Sequence, residues 1–192
     1  MAQRIGHQPP ELGVQVRFPP GALSKPGLGL IAKPGLAIRD MRRKIVGVIG
    51  GHSCTNEVEQ LAQNLGKKLT KVVDFLVSGG LSGTMKAVCK GFKTAGGTTI
   101  GIIPSYNKND ANEYVDIAIP TGMGLARNVL VVKSADVVIA LPGAAGTLSE
   151  IAYCLQFGIP VISLNSWDIT GVLKAKTVDE AVDKVKQLLN KE

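Results

Sequence analysis

Apolar and polar positions fall into alternating blocks along this chain. Ile45–Ile49 is a short β-branched run that ends in Gly50-Gly51, the pattern of a buried strand. Asn56, with Glu59 three residues on, predicts a capped helix to about Lys71. A second strand is expected over Val72–Val77, stopping at Ser78-Gly79-Gly80, then a helix from about Gly83 to Thr94 and a strand at Thr98–Ile103. Pro104–Glu113 is polar and carries no period, which predicts a mobile surface loop. Val115–Ile119 reads as a strand, Gly124–Ser134 as a helix and Asp136–Leu141 as a strand. The loop Pro142-Gly143-Ala144-Ala145-Gly146-Thr147 then leads a helix to about Phe157, followed by strand Val161–Leu164. Thr177-Val178-Asp179-Glu180 is a capping box that opens a last amphipathic helix. Strands alternating with helices through short loops predict a mainly parallel sheet covered on both faces. The expected fold is a single Rossmann-like, doubly wound α/β domain over residues 45–192.

The first 44 residues differ in kind. They hold six of the ten prolines and six glycines, spaced so that no helical or strand period survives. Such a stretch buries too little apolar surface to offset its ordering entropy, so a disordered or loosely draped leader is expected. It lacks the apolar core of a secretory signal, which argues against export; a mitochondrial transit peptide is a weaker alternative, the stretch being basic but poor in serine and rich in proline. Met41-Arg42-Arg43-Lys44 stands directly before the first strand as a natural start would. The upstream residues are therefore either a real tail or an over-extended reading frame.

Charge changes the picture only once it is divided. The formal net charge is +7, yet the leader alone holds eight Lys/Arg against Glu11 and Asp40, leaving the domain nearly neutral. The basicity is thus no nucleic-acid footprint on the folded part. With 45% hydrophobic and 19% charged residues over 192 positions, the composition is globular. No apolar run approaches the roughly 20 residues of a membrane span. Cys54, Cys89 and Cys154 form no CxxC pair, which argues for a reducing compartment, and a cytoplasmic protein is expected.

Candidate chemistry gathers at the carboxyl ends of the predicted strands, where sheets of this kind bind ligands. Three glycine-bearing loops sit there. One carries Gly50, Gly51 and Ser53; another Ser78, Gly79, Gly80 and Gly83, with Met85 just inside the helix; the third Gly143, Ala144, Ala145, Gly146 and Thr147. Glycine admits an anion close to the backbone, and the first amides of a following helix are unpaired and carry the positive end of its dipole. Ser78 and Thr147 add hydroxyl donors. The same glycines also suit tight strand-to-helix turns, but three such loops at strand ends favour a phosphate-binding site. No Gly-Lys-Ser/Thr follows any of them and none is GxGxxG, which disfavours a P-loop NTPase or a nicotinamide dehydrogenase.

The run PGAAGTLSE at Pro142–Glu150 resembles the PGGxGTxxE signature of the LOG family, often mislabelled lysine decarboxylases, with Ala144 at one glycine position. That family is Rossmann-like, and its characterised enzymes hydrolyse nucleoside 5′-monophosphates to a free base and ribose 5-phosphate. Gly122-Met123-Gly124-Leu125-Ala126-Arg127-Asn128 occupies the place of the family's arginine helix, with Arg127 fifteen residues before Pro142 as in the family; Asn128 replaces the usual lysine. Ser78-Gly79-Gly80 with Gly83 and Met85 is similar to the family's other glycine loop. AGGTTIGIIP, VDIAIPTGMGLARN and GTLSE look more like a sister branch, the molybdenum-cofactor carrier protein-like group. The resemblance covers about residues 45–165. It implies a homo-oligomer, dimer or tetramer, with the Gly122–Ser134 helix near the interface. The superfamily also holds the DNA-processing DprA fold, which makes nucleic acid a remote third ligand class.

Read for chemistry, Glu150 falls in the first turn after the PGAAGT loop, where it either compensates the helix dipole or serves the site. A guanidinium holds phosphate or carboxylate through paired hydrogen bonds, so Arg127 is the candidate anion clamp. Glu150 beside a ribose would stabilise an oxocarbenium-like state and orient water. The same pair suits pure binding. Two readings therefore stand: a carrier or sensor for a phosphorylated nucleotide-like or molybdopterin-type ligand, or a phosphoribohydrolase acting on nucleoside monophosphates. The Ala-Arg-Asn run favours the first. His52 is expected to line the pocket or a turn; Cys89 and Cys154 belong in the core; Trp167 and Tyr153 suit packing or an interface. No required cofactor, metal cluster or pyridoxal lysine is visible in the sequence.

Overall fold

The computed structural model describes residues 42–190, so the expectations for the leader lie, up to residue 41, outside the described residues. Seven strands run β1 Ile45–Ile49, β2 Phe75–Ser78, β3 Thr98–Ile103, β4 Ile117–Pro120, β5 Val137–Ala140, β6 Val161–Leu164 and β7 Leu173–Ala175. Five α-helices lie between and after them: α1 Asn56–Leu69, α2 Thr84–Thr94, α3 Asn128–Lys133, α4 Ala145–Phe157 and α5 Val178–Leu189. Short 3₁₀ turns occupy Lys108–Asp110 and Gly124–Arg127. The sheet order is β4-β3-β2-β1-β5-β6-β7 with every pair parallel, the Rossmann-like α/β architecture expected.

Alternation within the strands sends side chains to two cores. One face packs Val46, Val48, Leu76, Ile139 and Ile162 against α1, α2 and α5, with Phe92, Leu65 and Val185 fully buried. The other packs Ile49, Val77, Ile102 and Val138 against Val131 and Val132 of α3 and Ile151 and Cys154 of α4. On the first face α1 and α2 approach closely through facing glycines, Gly66 and Gly91.

Several boundaries differ from the sequence reading, each for a local reason. The cap of α1 is Thr55, whose hydroxyl accepts from the Val58 amide at 3.4 Å, and Asn56 is the first helical residue. Val72 and Val73 close α1 through amide bonds to the Leu69 carbonyl, and β2 starts only at Phe75. Between them Asp74 accepts from the Lys44 amide at 2.8 Å. That backbone bond leads the causes that hold its carboxyl below the usual range, with Arg43 adding to it. Asp116 does the same for the Thr99 amide at 2.9 Å, so β4 begins at Ile117 rather than Val115. Asp136 accepts from the Ile45 amide at 2.8 Å and pairs with Arg42. Arg42, Arg43 and Lys44, counted with the leader by composition, are thus tied to the start of the sheet. The predicted Gly124–Ser134 helix is a 3₁₀ turn followed by the short α3. β7 carries no strand signal of its own, being three residues with only Ala175 buried.

Topology fixes where a ligand can enter. From β1 the chain proceeds to β2, β3 and β4 on one side, then returns to place β5 on the other side of β1. Loops leaving β1 and β5 diverge, and such a switch point opens a crevice at the carboxyl ends of the strands.

Candidate functional site

That crevice is a cleft of about 620 Å³, within the roughly 300–1,000 Å³ of small-molecule sites. Gly50 and Gly51 leave β1 into it. The Gly51 amide donates to the Pro142 carbonyl at 3.0 Å, and its own carbonyl accepts from the Thr84 amide at 3.0 Å. The β1 loop is therefore stitched to both the β5 loop and the start of α2. Gly83 has φ +60 and packs against the His52 carbonyl, a place where a side chain would meet both strain and backbone. On the β5 side, the segment from Gly143 leads into α4, whose first free amides are those of Ala145, Gly146 and Thr147 by position.

Arg127 ends the 3₁₀ turn and reaches across the cleft to Gly79, where a Cβ would strike the guanidinium. Gly79 is small because Arg127 and Met85 occupy the space beside it. Both Arg127 and Glu150 are only 6% exposed, and Thr147 and Asn128 are buried with them. Arg127 Nε has no hydrogen-bond partner, and no ion pair among the described residues joins it to Glu150. Burial lowers the Arg127 pKa, which Glu150 opposes. Burial pushes the Glu150 carboxyl up to about 7, which Arg127 opposes. Near neutral pH the cleft floor therefore carries a fixed positive charge beside a partly neutral acid, a setting that attracts anions.

The same shift has a measurable consequence. The folded protein keeps Glu150 protonated up to about pH 7, whereas the unfolded chain releases that proton near the ordinary 4.5. Its contribution is full below the lower value and is lost as pH rises toward the upper one, beyond which the cost of the buried charge stands complete. Glu150→Gln is expected to flatten this slope and to be the more stable protein at about pH 8. Thermal melts of both proteins across pH check it, and parallel curves would contradict the shift.

Of the residues singled out in the sequence, the structure brings together Gly50, Gly51, Ser53, Gly79, Met85, Arg127, Gly143, Ala144, Gly146, Thr147 and Glu150 around the cleft. Five others do not line it. Ser78 is fully buried and turns its hydroxyl inward, 3.4 Å from Cys89 Sγ and accepting from the Gly80 amide, so it offers no donor to a ligand. Gly80 (φ +71) packs on Gly101, Gly83 on His52, and Gly122 (φ +64) on the Tyr106 ring: these three shape turns. Ala145 opens α4 on its exposed side. His52 lines the cleft wall as expected, with Cys54, Leu81, Pro104 and Leu125. The thiols of Cys89 and Cys154 are pushed by burial to about 11 and about 12, which makes both inert core residues.

Sequence reasoning missed the work of Asn128. Its side-chain amide donates to Ser149 Oγ at 3.2 Å, and that hydroxyl donates to the Gly146 carbonyl at 2.7 Å. The residue after the arginine thus clamps the arginine turn to the first turn of α4. Among the described residues no cluster of three or more His, Cys, Asp or Glu is arranged to hold a metal ion, and no helix is long and apolar enough to cross a membrane.

Comparison with known proteins bears on the family and the fold. Residues 43–191 match the model of the SLOG cluster4 family. The molybdenum cofactor binding protein of the phototrophic bacterium Rippkaea orientalis superposes with a TM-score of 0.73 at 36% identity, covering 78% of this chain and 99% of that one. The Moco carrier protein of Chlamydomonas reinhardtii gives 0.72 at 34% identity, covering 79% and 100%. A probable cytokinin riboside 5′-monophosphate phosphoribohydrolase, LOGL9 of Oryza sativa subsp. japonica, is 34% identical over 113 residues. That alignment takes in 54% of this chain and 50% of the rice protein.

Proposed function

The chain belongs to the SLOG cluster4 family, and on that premise we propose that its cleft binds a phosphorylated ligand with a heterocycle, nucleotide-like or pterin-based, as a carrier or sensor. Arg127 carries the reading: a buried guanidinium with an unpartnered Nε, lining the same cleft as the loop that leads into α4, is suited to clamp an anion. A bound phosphate would accept from Arg127 and from the free amides that open α4, and the apolar wall of Ile49, Val58, Leu81 and Leu125 would cover a ring. The likeness to a molybdenum cofactor binding protein and a Moco carrier protein supports a pterin as that ring. The three free cysteines suit a reducing cytoplasm.

A second reading, hydrolysis of nucleoside 5′-monophosphates, draws on Glu150. A buried carboxyl lining the same cleft as Arg127 would face a ribose in this reading, and the rice relative is named for this chemistry. Against it stands Asn128 at the position of the LOG family's lysine, an uncharged amide that donates to Ser149 and brings no second cation to the cleft. Incubation with a panel of nucleoside 5′-monophosphates, read by mass spectrometry for free base and by thermal shift for binding, separates the two. Stabilisation without base release is the expected result; base release lost in Glu150→Ala would establish the hydrolase instead, and neither signal would overturn the ligand class.

We also propose a homo-oligomer. Leu125, Leu130, Tyr153, Leu155 and Phe157 leave apolar surface exposed around α3 and α4, more than isolated surface residues require. Light scattering is expected to give a multiple of one chain's mass, and a monomer at all concentrations would refute the proposal.

A further inference from the structure

We propose that Trp167 is a positioning residue for the anion-binding loop, its indole N–H fixing the Gly143–Ala144 peptide so that the Ala144 amide faces the cleft. The inference rests on the phosphate reading of the cleft given above.

Three successive carbonyls in this loop are held by partners from elsewhere. The Leu141 carbonyl accepts from Ser166 Oγ at 2.9 Å, the Pro142 carbonyl from the Gly51 amide at 3.0 Å, and the Gly143 carbonyl from Trp167 Nε1 at 3.0 Å. Two of the three donors come from Ser166-Trp167, directly after β6. That segment reaches back because Asn165 adopts φ +56, the left-handed region that asparagine tolerates better than most side chains. β6 lies beside β5 in the sheet, so one tight turn is enough to lay Trp167 over the β5 loop.

The peptide group gives this bond its directional effect. In a trans peptide the carbonyl and the next residue's N–H point in opposite directions. The Gly143 carbonyl points to Trp167, on the side of a shallow depression lined by Asn165, Ser166 and Trp167. The Ala144 N–H must then point the other way, and Ala144 lines the large cleft while Trp167 does not. Gly143 has no side chain to hold this orientation, and its flexible backbone would otherwise sample others. Trp167 is 39% exposed, so its ring is no core anchor whose role is packing alone.

The test uses the full chain, with inorganic pyrophosphate and AMP as probes in calorimetry. Trp167→Phe keeps a ring and removes the N–H. It is expected to weaken both probes by the same factor, about fivefold for one neutral hydrogen bond, with Tm moved by less than about 2 °C. Ser166→Ala, which removes the neighbouring bond, is expected to shift both probes in the same direction. In ¹⁵N spectra the shift of the Ala144 amide on binding pyrophosphate should shrink in Trp167→Phe; taking the free-to-bound difference within each protein cancels the indole's own ring current, and a packing role at the surface would leave that difference unchanged. Trp167 is the chain's only tryptophan, so its emission in the wild-type protein should change with the same dissociation constant as calorimetry. Equal affinities in wild type and Trp167→Phe would overturn the proposal. Weaker AMP with unchanged pyrophosphate would overturn it too, since Trp167 would then act on the heterocycle. Wild-type protein that binds neither probe would refute the phosphate reading itself and this inference with it.

Discussion

Arg127→Met is expected to abolish binding of phosphorylated ligands, weakening it at least about 100-fold, while leaving the unliganded protein as stable as before or more so. The two halves of that outcome share one cause. Arg127 is a charge taken out of water, and the described protein gives it little in return: Nε is unpartnered and Glu150 forms no ion pair with it. An anion supplies the missing hydrogen bonds, so the desolvation already present in the free protein becomes binding energy in the complex. Methionine fills most of the arginine stem's volume and removes the charge, and the space the guanidinium leaves beside Gly79 and Met85 belongs to the cleft rather than to a closed core cavity. The change also withdraws the influence that lowers the Glu150 pKa, so Glu150 stays protonated to higher pH and is not stranded as a lone buried anion. Thermal shift with and without nucleoside monophosphate, beside calorimetry, reads both halves. Ligand affinity within about threefold of wild type would remove Arg127 from the site.

The fold was legible where the chain's pattern is local. β1, β3 and β6 coincide with apolar runs that end at glycine, proline or a polar turn, and their bounds match the sequence reading. The starts of β2 and β4 were not legible, because Val72-Val73 and Val115 have strand propensity but precede an aspartate. In both cases, and at β5, that aspartate takes an amide at or next to the start of the neighbouring strand (Lys44, Thr99 and Ile45), a bond between residues 17 to 91 positions apart. The site divides along the same line. Glycines and the conspicuous Arg127 and Glu150 announce themselves by residue type. Ser78 did not behave as its type suggested, since a serine at a strand end reads as a ligand donor whether it faces the cleft or, as here, Cys89. Asn128, Ser166 and Trp167 act through single bonds to atoms of α4 and of the loop before it, 21 to 25 residues away, and no periodicity encodes those.

The largest loss of stability is expected outside the site, from Gly91→Val. α1 and α2 pack closely because each presents a glycine to the other's backbone. A Cβ at Gly91 would collide with the Gln63 carbonyl, with the Gln63 Cα only 2.9 Å away; one at Gly66 would meet the Val88 carbonyl and, at 2.7 Å, the Phe92 amide. Backbone atoms inside a helix have no rotamer to move into, so the two helices must separate. Separation would pull Leu65, Leu69, Val88 and Phe92 from a core in which all four are fully buried. Valine's better helix propensity returns a few tenths of a kcal/mol over glycine, against a cost of about 3 kcal/mol for overpacking this contact. For a domain of this length that lowers Tm by roughly 10 °C. Gly146→Ala is the control, since nothing lies within 4 Å of its added methyl, and its Tm should stay level or rise slightly. The effect should extend to the cleft, because α2 opens with the Thr84 amide bonded to the Gly51 carbonyl. Displacing α2 therefore loosens the β1 loop, and Gly91→Val should weaken ligand binding even below its own melting range. An unchanged Tm would mean that the two helices are not held together at these glycines.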